Sequence, residues 1–445
     1  MDKKRIYMES LGCSKNQVDA EQMLGILSSD YDFTTIQEEA DYIIVNTCAF
    51  IHDAKVESVD AIIAAVGNPR AGVIVTGCLA QRYQAELLEA IPEVRAFVGT
   101  TQFLEIAEVI RRLERGEGPI VETGDIDRVF PPQVPRKTLS PPYYAYVKIA
   151  EGCDNRCTYC IIPQLRGRYR SRPLEEILKE VGELVSSGVR EIILIAQDTS
   201  RYGLDLNRGY GLLELLQALD SVASLKWIRI QYMYPDILDR RLIEGISRLE
   251  KVVQYFDIPI QHSSDRILKK MNRHTSQAQI IRVYDMIREL MPGAVIRTTV
   301  MVGFPGETEE DFGGLYEFIQ AHPFDRLGAF KYSDEEGTPA HKLGDKVPGE
   351  TALKRYERLM ARQSEISERL LSRWLDRTLV CVVDEVAPTQ EETTYIGRTP
   401  YDTPEVDGVV YISSDTALKP GDFVTVRITD HMEYDLIGVR INEPA

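Results

Sequence analysis

The first 118 residues alternate short apolar runs with stretches that have helical spacing. The apolar runs lie at 5–11, 42–45 and 72–75. The helical patterns lie at 17–27, 54–65, 84–90 and 103–113. Strands that alternate with helices are typical of a parallel sheet covered by helices. We therefore expect a doubly wound parallel α/β domain at 1–118. The proline-rich residues 119–142 predict an irregular linker.

The middle of the chain, 143–373, repeats the strand-helix pattern. The six strand candidates lie at 144–150, 191–197, 226–232, 255–261, 295–302 and 326–332. Helical patterns such as 174–187 and 308–319 separate them, and a charged helix from about 350 to 373 follows. Six strand-helix units are too few to close a standard eight-stranded barrel. The pattern favours a partial (βα)6 barrel that is open on one side.

The last region, 374–445, changes to strands that are separated by turns. The strand-like runs lie at 379–383, 409–413, 423–428 and 436–441. Turn signals such as Asp407-Gly408 and Pro420-Gly421 lie between them. We expect a small antiparallel β-barrel, similar to OB-type folds, as a third domain.

Three cysteines follow the first predicted strand of the middle region. Cys153, Cys157 and Cys160 have the spacing C-x3-C-x2-C. Three thiolates at this spacing can bind three irons of a cubane [4Fe-4S] cluster and leave the fourth iron open for a small molecule. A structural zinc site usually has a fourth Cys or His nearby, and none lies within thirty residues on either side. A disulfide arrangement is the other alternative.

Three more cysteines, Cys13, Cys48 and Cys78, each follow one of the first three predicted strands. Ligands of open α/β sheets bind outside the carboxyl ends of the strands, so these cysteines can converge there. Glycine precedes two of them. The pattern indicates a second three-cysteine cluster, and its alternative is three buried cysteines that act as small apolar residues. We expect Cys381, in a predicted tail strand, to be a packed thiol.

Polar residues and glycines end several strands of the middle region, where a barrel of this type binds its ligands. They are Gln197 and Asp198 after the second strand, Gln261 after the fourth, and Gly303, Gly306 and Glu307 after the fifth. We expect them to contact a bound cofactor, partly through backbone N–H groups. Two structural alternatives remain open. A tight turn requires glycine whether or not a cofactor binds, and Asp198 also suits the N-cap position of a helix. No catalytic side chain is assigned beyond the cysteines.

Charge and composition limit the compartment and the partners. The chain carries a formal net charge of −17 and seven cysteines. No apolar run approaches the ~18 residues of a membrane span, and the charged amino terminus lacks the apolar stretch of a signal peptide. We therefore expect a cytoplasmic protein with no membrane partner. In a reducing cytosol, clustered cysteines indicate metal binding or catalysis.

The tail is more acidic than the rest of the chain. Residues 374–445 contain five basic and fourteen acidic side chains, a net charge of −9. Such a domain is poorly suited to a phosphate backbone and favours a basic protein partner. A generic acidic surface that aids solubility accounts for the same charge.

These motifs together resemble a known enzyme family. The cysteine run, with Tyr159 before its last cysteine, resembles the signature of the radical S-adenosylmethionine (SAM) enzymes. With the amino-terminal cysteines and the terminal β-barrel, the chain resembles the methylthiotransferases over essentially its whole length. Four stretches are similar to the RimO-type class: Leu-Gly-Cys13-Ser-Lys-Asn, Asn-Thr-Cys48-Ala-Phe-Ile, Tyr-Ser-Asp334-Glu335-Glu336-Gly337-Thr and Pro404-Glu405-Val-Asp407-Gly-Val-Val. This class modifies an aspartate of small-subunit ribosomal protein S-twelve. The other class modifies tRNA adenosine and is the alternative.

The resemblance implies two [4Fe-4S] clusters and SAM as cofactors. Cys153, Cys157 and Cys160 would hold the SAM cluster of a radical SAM core. The amino-terminal domain would hold the auxiliary cluster, and the tail would be a TRAM domain. It also implies a 5′-deoxyadenosyl radical that takes a hydrogen from the aspartate β-carbon, with sulfur from the second cluster and methyl from a second SAM.

Two further expectations follow the resemblance. A donor such as flavodoxin or ferredoxin would supply the electron. An alternative hypothesis from another functional class is a non-enzymatic iron-sulfur scaffold, and such a protein would not cleave SAM.

Overall fold

The protein is described from a computed structural model that covers residues 3–129, 134–388 and 393–441. Pro131 and Pro132 of the predicted linker, and the last four residues of the predicted tail domain, lie outside these ranges. Within the described ranges, no helix is both long and apolar enough to cross a membrane.

The first domain is a six-stranded parallel sheet with helices on both faces, as the sequence predicted. Its strands are β1 (Arg5–Ser10), β2 (Asp32–Phe33), β3 (Tyr42–Thr47), β4 (Gly72–Gly77), β5 (Ala96–Val98) and β6 (Ile120–Glu122). Its helices are α1 (Ser14–Leu27), α2 (His52–Val66), α3 (Cys78–Ala90) and α4 (Ile106–Glu114). The strand order is β2-β1-β3-β4-β5-β6. Strand β6 extends the sheet into the segment predicted as an irregular linker.

The middle domain contains all six predicted barrel strands. They are β7 (Tyr144–Lys148), β10 (Glu191–Ile195), β11 (Trp227–Ile230), β12 (Tyr255–Asp257), β13 (Val295–Val302) and β14 (Arg326–Lys331). Two short strands, β8 (Ala150–Glu151) and β9 (Arg170–Ser171), pair with each other. The helices are α5 (Ile162–Arg166), α6 (Leu174–Ser186), α7 (Leu212–Asp220), α8 (Arg240–Ser247), α9 (Asp265–Lys270), α10 (Gln277–Leu290), α11 (Glu309–Ala321) and α12 (Gly349–Leu371).

The barrel strands form two parallel three-stranded sheets, β7-β10-β11 and β12-β13-β14. The sheets meet where Ile228 of β11 bonds to the chain just before β12: its N–H donates to Lys251 at 2.7 Å, and its carbonyl accepts from Val253 at 3.0 Å. The result is a six-stranded partial barrel with β7 and β14 at its edges. Apolar residues of the strands and the surrounding helices form its main core.

The third domain is a closed five-stranded barrel, and its topology differs in two respects from the expected one. Its strands are β15 (Thr378–Pro388), β16 (Thr393–Arg398), β17 (Val410–Ser413), β18 (Phe423–His431) and β19 (Leu436–Arg440), in the order β15-β16-β17-β19-β18. Sequence reasoning missed β16. It also expected an antiparallel barrel, whereas β17 and β19 are parallel. Cys381 is fully buried in this core, as predicted.

One segment of the third domain, residues 398–407, closes the amino-terminal end of the partial barrel; we call it the plug. Arg398 bonds Glu191, the first residue of β10, at 2.6 Å. Tyr255, the first residue of β12, donates to Asp407 at 2.6 Å, and Arg326, the first of β14, pairs with Asp402 at 2.6 Å. Some acidic side chains of the tail, Asp402 and Asp407, are therefore buried against the barrel and do not face a partner.

The carboxylate of Glu191 provides the first test of the plug. It is buried and shared by Arg229 at 3.1 Å and Arg398 at 2.6 Å. Because Glu191→Gln leaves two buried guanidinium groups without their shared carboxylate, we expect it to lower the unfolding free energy by about 3–5 kcal/mol. Urea unfolding followed by tryptophan fluorescence measures this, since Trp227 contacts Phe423 of the third domain.

The matched control is Glu289→Gln, which breaks an exposed ion pair with Arg240 and should change the urea midpoint little. Equal midpoints for the two variants would mean that the plug contributes nothing to stability.

Candidate active site

The three amino-terminal cysteines meet at the carboxyl edge of the first sheet. Cys13 caps the start of α1 after β1, Cys48 directly follows β3, and Cys78 begins α3 directly after β4. Because β1, β3 and β4 are neighbours in the sheet, sequence positions 30 or more residues apart lie side by side. Cys48 and Cys78 are buried, and Cys13 is exposed. We call these three residues the first triad.

Steric constraints require glycine directly before two of these cysteines. Gly12 has φ +88°, and a Cβ there would lie 2.7 Å from the Cβ of Cys48. Gly77 has φ +89°, and a Cβ there would lie 2.5 Å from Oδ1 of Asn46. Both positions combine a left-handed backbone with a close approach, which only glycine tolerates. The glycines therefore let the strand ends come close enough for the cysteines to converge.

Buried amides fix the strand ends beneath the first triad. The Nδ2 group of Asn16 donates to the carbonyls of Leu11 at 3.0 Å and Thr47 at 2.9 Å. Nδ2 of Asn46 in turn donates to the carbonyl of Asn16 at 2.7 Å. These bonds join α1 to the ends of β1 and β3, so the spacing of Cys13 and Cys48 is set by buried hydrogen bonds.

The loop with Cys153, Cys157 and Cys160, the second triad, leaves β8 at the carboxyl edge of the barrel. Gly152 has φ +79°, and a Cβ there would lie 1.9 Å from the carbonyl oxygen of Arg168. The far side of the loop is held by the end of α9: the N–H of Thr158 donates to Met271 at 2.9 Å, and its hydroxyl donates to Lys270 at 2.9 Å. The loop is thus fixed at both ends.

Two predicted cofactor residues, Asp198 and Gln197, lie beside this loop. Oδ2 of the buried Asp198 accepts from Asn155 of the loop at 2.8 Å and from Arg201 at 3.1 Å. Its side chain therefore braces the loop, and it makes no capping bond to the following helical turn. Gln197 donates to Glu151 at 2.7 Å, and its buried Oε1 has no partner among the described residues.

The predicted glycine turn is built around Glu307. Its carboxylate accepts the N–H groups of Gly303 and of Phe304, the latter at 3.1 Å. Burial raises the pKa of Glu307 to about 7, against the opposing effect of Arg355, whose guanidinium lies 3.5 Å away. A Cβ at Gly306 would lie 2.2 Å from Nζ of Lys270. These contacts shape the turn and occupy Oε2 of Glu307, whereas its buried Oε1 has no hydrogen-bond partner among the described residues.

Gln261 and Tyr159 complete the predicted set. Gln261 has φ +69°, and its backbone bonds to Thr299 at 2.8 Å and Met301 at 2.7 Å, past the end of β12. A positive φ in a residue other than glycine stores strain and is common at functional sites. Tyr159 packs with Met271 and Phe304; burial raises its pKa, and Cys157 beside it adds to the rise.

Sequence reasoning missed two residues of the site. Arg273 lies 3.7 Å from the ring centroid of Tyr234 and donates to Pro259 at 2.6 Å, close to Cys157. Asn155 joins the cysteine loop to Asp198. Asn155 could have been found from the sequence, because it lies within the cysteine run. No sequence pattern indicates Arg273, because it follows a helix more than 100 residues later in the chain.

The two triads border the interface between the first two domains from opposite sides: Cys78 lies 3.8 Å from Arg166 of the barrel domain, and Ile161, directly after Cys160, packs in the core of the first domain. Residues 333–338, which we call the clasp, hold one end of this domain interface together. Buried Glu335 pairs with Lys55 at 2.7 Å and Arg82 at 2.9 Å, both in the first domain. Nearby, Ala340 donates to Thr158 of the cysteine loop at 2.8 Å. The RimO-like stretch around Glu335 is therefore an interdomain contact.

The cysteines of each triad fit an iron-sulfur cluster. All six are free thiols. Within the described ranges, no three His, Cys, Asp or Glu side chains are arranged for a single metal ion. Burial, together with the nearby Cys78 and Cys13, raises the pKa of the Cys48 thiol to about 12. Burial likewise raises the pKa of Cys153 to about 11, with Cys157 adding to it. Three close thiols without a fourth ligand suit a cubane with one open iron.

The partial barrel and its cysteine loop define a radical SAM protein. The chain matches the radical SAM superfamily at 147–319, an uncharacterized family, UPF0004, at 5–99, and the TRAM domain at 377–441. A radical SAM methyltransferase, TsrM from Kitasatospora setae, has a similar fold, with a TM-score of 0.55 and 14% identity over 73% of this chain and 72% of that chain.

Relatives that align with almost the whole chain show which family of radical SAM proteins it belongs to. A ribosomal protein uS12 methylthiotransferase RimO of Clostridioides difficile (strain 630) is 48% identical over 98% of both chains. The protein of the same name in Thermoanaerobacter sp. (strain X514) is 46% identical over 98% of this chain and 99% of the relative. The chain belongs to the RimO family of radical SAM methylthiotransferases. The cofactors of this family are SAM and two [4Fe-4S] clusters.

The clasp gives a test of the domain interface. Glu335→Gln leaves Lys55 and Arg82 without their shared carboxylate, so we expect amide exchange in α2 to become roughly tenfold faster, equivalent to about 1.4 kcal/mol. Lys55 and its neighbours hold the pKa of Glu335 below its ordinary value of 4.5, although burial opposes them. The stabilisation is therefore present above pH 4.5 and is lost as the pH falls through the lowered pKa.

Glu336→Gln is the control for hydrogen-deuterium exchange, because the amide oxygen still accepts from the Tyr83 hydroxyl and the backbone carbonyl keeps the bond to Arg82. If α2 exchanges as slowly in Glu335→Gln as in this control, the clasp does not hold the interface.

Proposed function

We propose that this protein methylthiolates the β-carbon of an aspartate in ribosomal protein uS12. The observation that carries the proposal is the placement of two three-cysteine sites that border one domain interface from opposite sides. Family membership supports the substrate, because the relatives of nearly equal length are named for uS12. Residues 1–118 would serve the sulfur-donating site, 143–373 the SAM site, and 374–445 a TRAM domain, with 119–142 as their linker.

The proposed ligands follow from the two triads. Cys13, Cys48 and Cys78 would hold one [4Fe-4S] cluster and Cys153, Cys157 and Cys160 the other. The clusters and SAM supply reductive cleavage of a sulfonium, hydrogen abstraction from an unactivated carbon, and sulfur and methyl transfer.

The chain's own residues bind and orient these groups. The free Oε1 of Gln197 is a suitable acceptor for the SAM amino group. Asp198 holds the cysteine loop through Asn155, and the turn at Gly303 and Gly306 closes the site beside Lys270. The buried parts of the two sites, at Cys48, Cys78 and Cys157, limit the access of water to reactive species.

The proposal includes an external electron donor such as flavodoxin or ferredoxin. The acidic tail gives weaker support for a basic protein substrate than the sequence suggested, since Asp402 and Asp407 are bound within the plug.

The first experiment is an anaerobic assay of the reconstituted protein. With SAM, dithionite and a peptide that carries the uS12 aspartate loop, we expect 5′-deoxyadenosine and a peptide heavier by one methylthio group. Deoxyadenosine with an unmodified peptide, but with a methylthiolated nucleoside when tRNA is supplied, would instead support the tRNA adenosine class. Absence of deoxyadenosine from a protein with both clusters would contradict radical SAM chemistry.

Removing each triad separately tests the division of labour. A Cys13→Ala/Cys48→Ala/Cys78→Ala variant should lose about four irons and still produce deoxyadenosine, but should not modify the peptide. A Cys153→Ala/Cys157→Ala/Cys160→Ala variant should also lose about four irons and produce no deoxyadenosine. Iron content and product analysis check both.

Cys381→Ala is the matched control and should keep all the iron, because Cys381 is buried in the third domain. Loss of deoxyadenosine in both triple variants would show that the two sites do not act separately.

A further inference from the structure

One short helix, α5, connects the two triads. It begins at Ile162, two residues after Cys160, and ends at Arg166. Five helical residues rise about 7.5 Å along the axis. By sequence, α5 belongs to the barrel domain. By packing it belongs to the first domain, because Ile161 and Leu165 lie in the same buried cluster as Cys78 and Phe97.

A hydrogen bond fixes the end of this helix. The hydroxyl of Thr100, in the first domain, donates to the carbonyl of Leu165 at 2.6 Å. The side chain of the next residue, Arg166, then points into the first domain beneath the first triad. It is 2% exposed and among the largest fully enclosed side chains of the described part of the protein.

The guanidinium of Arg166 contacts the first triad directly. Its Nη2 lies 3.8 Å from Sγ of Cys78 and donates to Oδ1 of Asn16, the residue that also ties the strand ends together. Its Nη1 donates to Asp19 of α1 at 2.6 Å. Asp19 also accepts from Lys148 of the barrel, so it offsets only part of the Arg166 charge, and one N–H group remains directed at the sulfur.

The same guanidinium also reaches toward the SAM side. Nη1 lies 3.3 Å from Oε2 of Glu151, and Oε1 of Glu151 accepts from Gln197 at 2.7 Å. Glu151 ends β8, directly before the second cysteine loop. A continuous set of buried polar contacts therefore runs from Cys78 through Arg166 and Glu151 to Gln197.

We propose that Arg166 is a positioning residue that sets the electrostatics of the first-triad cluster and joins it to the SAM site through α5. The inference rests on the cluster-binding part of the proposed function. Hydrogen bonds to cluster sulfurs and nearby charge set the reduction potential of an iron-sulfur cluster. A positive group that donates to a cysteine ligand stabilises the more negative, reduced cluster, so Arg166 raises the potential.

The test measures reduction potentials of full-length protein that has been reconstituted with iron and sulfide. The variants are Arg166→Gln, which removes the charge, and Arg166→Lys, which keeps the charge but loses the planar fork. Redox titration followed by EPR gives the potential of each cluster, and the two triple-alanine variants assign the signals. Arg166→Gln should make the first-triad potential more negative and leave the SAM cluster unchanged. Arg166→Lys should give a smaller shift in the same direction.

Arg168→Gln is the matched control, because Arg168 lies two residues away and is exposed. It should leave both potentials at the wild-type values. A first-triad potential and EPR line shape that are the same in Arg166→Gln as in wild type would overturn the inference.

Two other outcomes also decide the question. If Arg166→Gln takes up no iron at the first triad, Arg166→Lys carries the test: a shifted potential supports the inference and a wild-type potential overturns it. If wild type itself assembles no cluster at the first triad, the proposed function fails, and the role of Arg166 fails with it.

Discussion

The structure depends on one constraint: two cysteine sites, on the sheets of two different domains, must stay at a fixed separation across a domain interface. Loose interdomain contacts would not achieve this, because domains in one chain move relative to one another unless their interface is large and well packed. Here α5 packs into the core of the neighbouring domain, and buried charges cross the interface at Arg166 and Glu335.

Buried ion pairs are an unusual choice for stability alone, since desolvation cancels much of their attraction and an apolar contact of equal volume often does as well. Their value here is geometric. Arg166 must satisfy Asn16, Asp19 and Glu151 together, and only one relative position of the two domains allows all three. An apolar interface tolerates sliding, whereas a buried guanidinium that slides leaves its partners unsatisfied. The same charges therefore specify the separation of the triads.

The third domain applies similar chemistry at the opposite end of the barrel. Polar residues begin strands β10, β12 and β14 at the amino-terminal end of the barrel, and the third domain provides the partners shown for them there. The plug supplies their partners through Arg398, Asp402 and Asp407. The amino-terminal end is closed in this way, and ligand access is left to the carboxyl end, where both cysteine sites lie. The domain is thus part of the barrel's structure, whatever else its surface binds.

Sequence patterns predicted the three domains, the six barrel strands and the positions of both triads, because those features are local: strand periodicity, and cysteine at the end of a strand. The short strands β2 and β5 were missed, since two or three residues show no periodicity. In the sequence, Arg166 is visible only as one of four alternating arginines, at 166, 168, 170 and 172. Its partners lie 147 residues earlier in α1 and 15 residues earlier in β8, and no local pattern indicates them.

The tail shows the same limit for charge. Its net charge of −9 is a true property of the sequence, and it suggested an acidic surface for a basic substrate. The fold places Asp407 against Tyr255 and Arg297, and Asp402 against Arg326. A carboxylate that is already neutralised by a buried arginine contributes little to long-range attraction. Net charge counts residues, whereas attraction depends on those that reach solvent. The substrate class therefore rests on family membership, and the tail's acidity adds only what its exposed carboxylates provide.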